Sequence, residues 1–172
     1  MTLIVFAVVL GFAVTNWNAS RNDRHRAAVA LDRITSELER NSASLADAAP
    51  YYSKMSERLD SILDTRGEVA RRDIVIPGWR GLRPPPIRRA SFQVAMETGA
   101  LEHIDFALVD RIALAYDITN EFSASIDNAL STFIAGDLIF VSEWQIVFAL
   151  LSELAGIAQT HTEDVLILLR AE

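Results

Sequence analysis

Residues 31–66 decide the fold, and they read LDRITSELERNSASLADAAPYYSKMSERLDSILDTR. One set of residues recurs every seven positions, and a second set follows it three positions later. The first set is Leu31, Leu38, Leu45, Tyr52 and Leu59, and the second is Ile34, Asn41, Ala48, Met55 and Ile62. This spacing places both sets on one face of a helix, so the stretch predicts a long helix with one buried seam.

Two questions about this helix stay open at the level of sequence. Pro50 falls on the outer side of the repeat, where a kink leaves the seam intact. The alternative is a break, with Pro50 at the first position of a second helix. The seam is covered either by other helices of the same chain or by a second copy in a homo-oligomer. Asn41 and several small residues weaken the seam and favour packing within one chain.

An uncharged segment precedes the repeat and predicts a membrane anchor over residues 1–20. Its core, residues 3–14, reads LIVFAVVLGFAV. A helix of about 20 residues rises about 30 Å, which matches the hydrocarbon thickness of a bilayer. The heptad frame extends back through this segment, so the anchor and the next helix are compatible with one continuous rod. Polar, aromatic and basic residues typical of the membrane interface follow it: Asn16, Trp17, Asn18, Arg21, Arg24 and Arg26.

Three other interpretations of this segment are weaker. A cleaved signal peptide needs a basic region before the apolar run, and none is present. A pilin-like start needs an acidic residue that this run lacks. A buried core helix would show a polar face. We expect a single-pass protein of the bacterial inner membrane. The basic residues 21–26 favour a bundle on the cytoplasmic side under the positive-inside rule. Almost no residues precede the apolar run for comparison, so the side of the membrane on which the bundle lies stays undecided.

Residues 67–88 predict an irregular basic loop. Gly67, Pro77, Gly78, Gly81 and the run 84–86 of three prolines prevent a continuous helix. Residues 66–89 carry seven arginines against two acids, whereas residues 90–172 carry two arginines against thirteen acids. The arginines either contact anionic lipid or an acidic protein face, or they pair with the acidic helices of the same chain. The candidate partner or lipid surface consists of Trp79, Arg80, Arg83, Arg88 and Arg89.

Residues 89–172 predict the C-terminal helical part of the same bundle. A helix resumes near Arg89 and ends near Gly99, and Asp105 has the position of an N-cap for the next helix. After a turn at 136–137, an apolar helix is expected to lie at the centre, and its two glutamates argue against a second membrane span. Residues 164–172 suggest a last short helix. The sequence therefore predicts an all-α protein: an anchor, the stretch 21–66, a basic loop, and a bundle of four or five helices in total.

Two places resemble a family of uncharacterised bacterial membrane proteins known as domain of unknown function 6090. The first is the apolar helix ending in Asn16-Trp17-Asn18, followed by RNDRHR and a long helix. The second is SFQVAMETGALEHIDFALVDRIALAYD, in which Gly99, Leu101 and Tyr116 correspond to a small turn, a leucine and a helix ending near a tyrosine. The usual longer basic N-terminus of the family is missing. The resemblance implies an anchored helical domain and supplies no catalytic residues.

No pattern in the sequence predicts catalysis. The absence of Cys excludes disulfides, thiolate zinc sites and cysteine nucleophiles. The three histidines are far apart, and the carboxylates of residues 110–127 are typical of a solvated helix face. We therefore expect no enzyme activity, no cofactor and no metal, and the acidic C-terminal half argues against nucleic acid. The expected function is a membrane-anchored scaffold, adaptor or accessory subunit that contacts the bilayer and a protein partner. The alternative is a sensor or a small-ligand-binding bundle.

Overall fold

The computed structural model describes residues 2–136 and 139–171, with side chains from residue 15 onward. This part of the chain contains four α-helices: α1 (Thr2–Arg66), α2 (Ala90–Glu97), α3 (Phe106–Ala135) and α4 (Val141–Ala171). Two single turns of 3-10 helix, Arg71–Asp73 and Ala100–His103, interrupt the connections. The all-helical class is confirmed, and the helix count is the lower of the two that the sequence allowed.

Helix α1 runs without a break, and Pro50 lies inside it on the exposed face. Eight of the ten seam positions are buried, and the two outermost ones, Leu31 and Ile62, are half-buried. A proline on the outer face removes one backbone hydrogen bond but leaves the buried side intact. The rod predicted from the heptad frame is therefore confirmed, and the break at Pro50 is wrong.

Helix α4 covers the seam of α1 and runs antiparallel to it. It begins where the Val141 backbone N–H donates to Val69 O (3.1 Å), just beyond the end of α1. It ends where Arg170 pairs with Glu39 of α1 at 3.0 Å. Because α4 and α3 of the same chain cover the seam, the heptad repeat here serves packing within one chain. The central position predicted for the final helix is confirmed by its buried residues: Val141, Trp144, Phe148, Leu151, Ala155, Ala158, Thr162, Val165 and Leu166.

The separate short helix expected over residues 164–172 is wrong, because α4 continues to Ala171. The polar residues around His161 do not break it. Thr162 lies on the buried face, and its hydroxyl donates to Ala158 O at 2.7 Å, which satisfies the polar group within the helix. The helix ends predicted elsewhere are confirmed. Asp105 caps α3 by accepting from the Leu108 N–H (3.1 Å), and Gly99 adopts a left-handed φ of 68° just after α2.

The predicted anchor lies largely outside the described side chains. The backbone of residues 2–14 is helical as part of α1, but nothing is described of their side chains. Residues 15–22 are all exposed, and Asp23 contacts the bundle through His103 at 3.6 Å. Among the residues whose side chains are described, α4 is the one helix that is long and apolar enough to cross a membrane. A bilayer around α4 would also enclose the charged outer face of α1, so we assign α4 to the core.

Candidate interaction surface

The basic loop is an ordered segment, which we call the strap (residues 67–89), and it returns along α1. Aromatic side chains of α1 hold its backbone. The Tyr51 hydroxyl donates to Gly81 O (2.8 Å) and accepts from the Arg80 N–H (3.0 Å). The Tyr52 hydroxyl donates to Arg83 O at 2.7 Å. These bonds satisfy backbone groups that have no partner in a sheet or helix, so the course of the strap is fixed by α1.

Two further points of the strap are also bound to α1. At its middle, the guanidinium of Arg58 donates to Pro77 O. Near its end, the Asn41 amide donates to Arg88 O (2.7 Å) and accepts from the Arg88 N–H (2.9 Å). Asn41 is itself only 1% exposed. A buried amide with both functions satisfied stabilises this packing, although the sequence analysis took Asn41 as a weak point of the seam.

Beyond the end of the strap, a buried pair of Glu37 in α1 and Tyr116 in α3 fixes the position of α2. Glu37 is 4% exposed and accepts from the Tyr116 hydroxyl (2.7 Å) and from the Ser91 N–H at the start of α2. Phe92 stacks on the Tyr116 ring, with the ring centroids 4.7 Å apart. Burial raises the pKa of Tyr116, and the hydrogen bond and the charge of Glu37 raise that pKa further. The phenol therefore stays protonated and donates to the carboxylate.

Trp79 differs from its predicted position on the candidate surface. Its ring is half-buried and packs edge-on against Trp144 (centroids 5.0 Å apart) and beside Phe148 (5.2 Å). The Arg71 guanidinium lies over the same ring at 4.1 Å. The hydrophobic effect explains this placement, because Trp144 and Phe148 extend the core to the strap. Trp79 therefore fixes the strap from inside rather than presenting itself to a partner.

The four remaining residues of the candidate surface, Arg80, Arg83, Arg88 and Arg89, are all exposed. The Arg80 guanidinium lies 4.7 Å from the Tyr51 ring centre, and Arg89 donates to the Asn120 side chain at 3.1 Å. Among the described residues, no ion pair joins the strap to an acid of residues 90–172. Pairing with the acidic helices of the same chain, one of the two predicted alternatives, is thus not how these arginines are held.

The predicted interface residues lie together on the N-terminal part of the rod. Asn16, Trp17, Asn18, Arg21, Arg24 and Arg26 are all exposed. The Arg21 guanidinium is 5.9 Å from the Trp17 ring centre, and Arg24 donates to Ser20 at 3.1 Å. These contacts stay within α1, so the outer faces of the side chains are available to a headgroup layer. Their role at a membrane stays a prediction.

The described residues contain no cluster of three or more His, Asp or Glu side chains able to hold a metal ion. Of the histidines, His103 pairs with Asp23. The acids Asp110, Asp117, Glu121 and Asp127 lie exposed on α3. No family model matches the chain, and no curated protein and no solved structure is significantly similar to it.

Proposed function

We infer that the protein is a non-catalytic adaptor, anchored in the bacterial inner membrane by the N-terminal part of α1, that binds an acidic protein partner through its strap. The observation that carries this proposal is the contrast within the strap. Its backbone is held by α1 side chains, while Arg80, Arg83, Arg88 and Arg89 are exposed. A preorganised cationic face binds an acidic surface at a lower entropic cost than a mobile loop would.

The anchor is supported by three observations. The sequence is uncharged from residue 1 to residue 20. The helix continues from that segment into the bundle without a break, and residues 15–22 are exposed. Among the side chains of α1 that the structure describes, that of Asp23 contacts the bundle, with its carboxylate 3.6 Å from the His103 ring. The preceding 20 or so residues rise about 30 Å, which is enough to cross the hydrocarbon core.

The height of the strap above the membrane favours a protein partner over the lipid of the same bilayer. Tyr51, which holds Arg80, is 31 residues beyond Ser20, which is about 45 Å along the helix axis. Asn41, which holds Arg88, is 21 residues beyond Ser20, or about 30 Å. A tilt of about 40° lowers these heights to about 35 and 24 Å. The surface potential of the bilayer fades within a Debye length of about 8 Å, so the lipid does not reach these arginines.

Photo-crosslinking in native membranes tests this proposal. A photoreactive residue replaces Pro84, which is exposed and lies among the arginines, in the full chain. We expect a discrete crosslinked protein that is lost when Arg80, Arg83 and Arg88 are changed to Gln. Arg111→Gln on α3 removes one exposed charge elsewhere and is the matched control. A crosslink that survives the triple change, or one that Arg111→Gln also abolishes, contradicts the proposal.

One observation favours the alternative of a ligand-binding bundle. A groove between α1 and α2 has a volume of about 820 Å³. That volume is within the usual range of about 300–1,000 Å³ for small-molecule sites. The groove is lined by both apolar and basic residues, which suits a ligand that carries an anionic group and an apolar part.

A further inference from the structure

The groove between α1 and α2 lies at the end of the bundle nearest to the N-terminal segment. Its α1 wall includes His25, Arg26, Val29 and Arg33, and its α2 wall includes Val94 and Ala95. Arg26 and Arg33 are seven residues apart, so they lie on one face about 10 Å from each other. Two cations therefore stand two turns apart along one side of a single elongated site.

Apart from its basic residues the groove is lined mainly by Val and Ala side chains, and the hydroxyl of Thr98, one of its two other polar residues, donates to Val94 O at 2.8 Å. Ala95 is 3% exposed, while Val94 is 50% exposed and leaves its methyl groups to the groove. The backbone N–H of Ser91, at the start of α2, already donates to Glu37. This N–H is therefore not available to bind an anion, and the charged groups of the groove that can do so are the arginines of α1.

The charge of the groove is opposite to that of the chain. The protein has a net charge of −7, yet the groove is lined by His25, Arg26 and Arg33 and by no acidic residue. Basic residues over an apolar floor fit a ligand with one anionic group and an aliphatic chain.

The position of the groove identifies the source of such a ligand. Arg26 is six residues beyond Ser20, or about 9 Å along the axis. The polar headgroup layer of a bilayer is about 5–8 Å thick on each side, so the lower end of the groove opens at its surface. This step rests on the anchor proposed above.

We propose that the groove binds one anionic phospholipid of the bilayer in which α1 is anchored. The phosphate lies between Arg26 and Arg33, and one acyl chain lies along Val29 and Val94. Bound in this way, the lipid fills the space between α1 and α2 and ties the lower end of the bundle to the membrane surface.

Hydrogen exchange of the full chain in nanodiscs tests the proposal. The nanodiscs contain phosphatidylcholine alone or with increasing phosphatidylglycerol, and the readout is the exchange rate of α2. We expect phosphatidylglycerol to slow exchange in residues 90–98. The double change Arg26→Gln and Arg33→Gln should raise the amount of phosphatidylglycerol that gives half of the full effect about 30-fold. This factor corresponds to about 1 kcal/mol per arginine. Arg40→Gln removes an exposed arginine of α1 outside the groove and should leave the response unchanged.

A second variant separates binding in the groove from attraction to the surface. Val94→Trp keeps every charge but places a large ring on the α2 wall, where the acyl chain is proposed to lie, and its half-exposed position tolerates this ring. We expect this variant to lose the response to phosphatidylglycerol, and a retained response overturns the proposal. The proposal is also overturned if phosphatidylcholine slows the exchange of α2 as much as phosphatidylglycerol does. It is likewise overturned if only oleate or a polyglutamate peptide slows that exchange. A chain that does not remain with the nanodiscs refutes the anchor itself, whereas one that remains but shows no lipid effect refutes only the groove.

Discussion

The side-chain amide of Asn41 forms two hydrogen bonds with the backbone of Arg88, at 2.7 and 2.9 Å. The two residues are 47 positions apart, and one belongs to a helix while the other belongs to an extended strap. The amide thus serves the backbone as a neighbouring β-strand would. It is the clearest case of α1 fixing the part of the strap, residues 79–89, that lies outside helices and strands.

Asn41→Leu should destabilise the protein, although leucine is an apolar residue like most others of the seam. Leucine leaves one donor and one acceptor of Arg88 without a partner, and we expect a loss of about 1–3 kcal/mol in the free energy of unfolding. Denaturant unfolding measures this loss, and hydrogen exchange of residues 86–91 should become faster. Ser44→Ala is the control, because that hydroxyl bonds only within α1. Equal stability and unchanged exchange in the leucine variant would show that the strap does not depend on Asn41.

Stability should fall at alkaline pH because two tyrosines resist ionisation in the native state. Burial raises the pKa of Tyr52 to about 12, and burial and Glu37 raise the pKa of Tyr116. Free tyrosine titrates near pH 10, so above about pH 10 the unfolded chain loses protons that the native state keeps. The free energy of unfolding should then decrease by up to about 1.4 kcal/mol per pH unit for each tyrosine. Below about pH 10 both tyrosines are protonated in the native and the unfolded state, so their contribution to the free energy of unfolding does not change with pH.

Unfolding curves from about pH 8 to about pH 11 measure this effect. Tyr116→Phe and Tyr52→Phe should each make the decrease above about pH 10 less steep, and the double variant should be the flattest. The readout is the slope of the free energy of unfolding against pH, and not its absolute value. Both changes also remove hydrogen bonds and therefore lower stability at every pH. The same slope in the double variant as in the unaltered protein would rule out these tyrosines as the cause.

Leu38 and Leu59 should each contribute strongly to stability. Both are buried on the seam of α1, with 1% and 0% of their surface exposed. Leu→Ala at either position should cost about 2–5 kcal/mol, measured by denaturant unfolding. Ile146→Ala on the exposed face of α4 is the control and should cost less than about 0.5 kcal/mol. Losses as small as the control at both leucines would mean that α4 does not cover the seam.

The N-terminal segment should hold the protein in the membrane. Carbonate washing should leave the full chain in the membrane pellet, because a spanning helix is not removed by breaking electrostatic contacts. A chain that begins at Ser20 keeps the Asp23–His103 pair and should be found in the soluble fraction. Release of the full chain by carbonate would contradict the anchor. Retention of the shortened chain would indicate that α4 or another surface holds the membrane.

The sequence predicts those parts of the fold that depend on side-chain periodicity and on local caps. The heptad repeat gave α1 and its buried face, and Asp105 and Gly99 marked helix ends, because each signal lies within a few residues. The attachment of the strap was missed, because its partners are backbone groups, which any residue carries. Trp79 was misplaced because its contacts, Trp144 and Phe148, are more than 60 positions away in the chain.

The antiparallel pairing of α1 with α4 has a consequence for biosynthesis. The first helix is complete at Arg66, but the helix that covers its seam begins only at Val141 and ends at Ala171. At about 5–20 residues per second, the ribosome needs roughly 5–20 s to make the intervening chain. During that interval the leucines and Tyr52 of the seam lack the helix that buries them in the folded protein. We expect the seam to be open to chaperones during that interval, because its apolar side chains are covered only after α4 has been made.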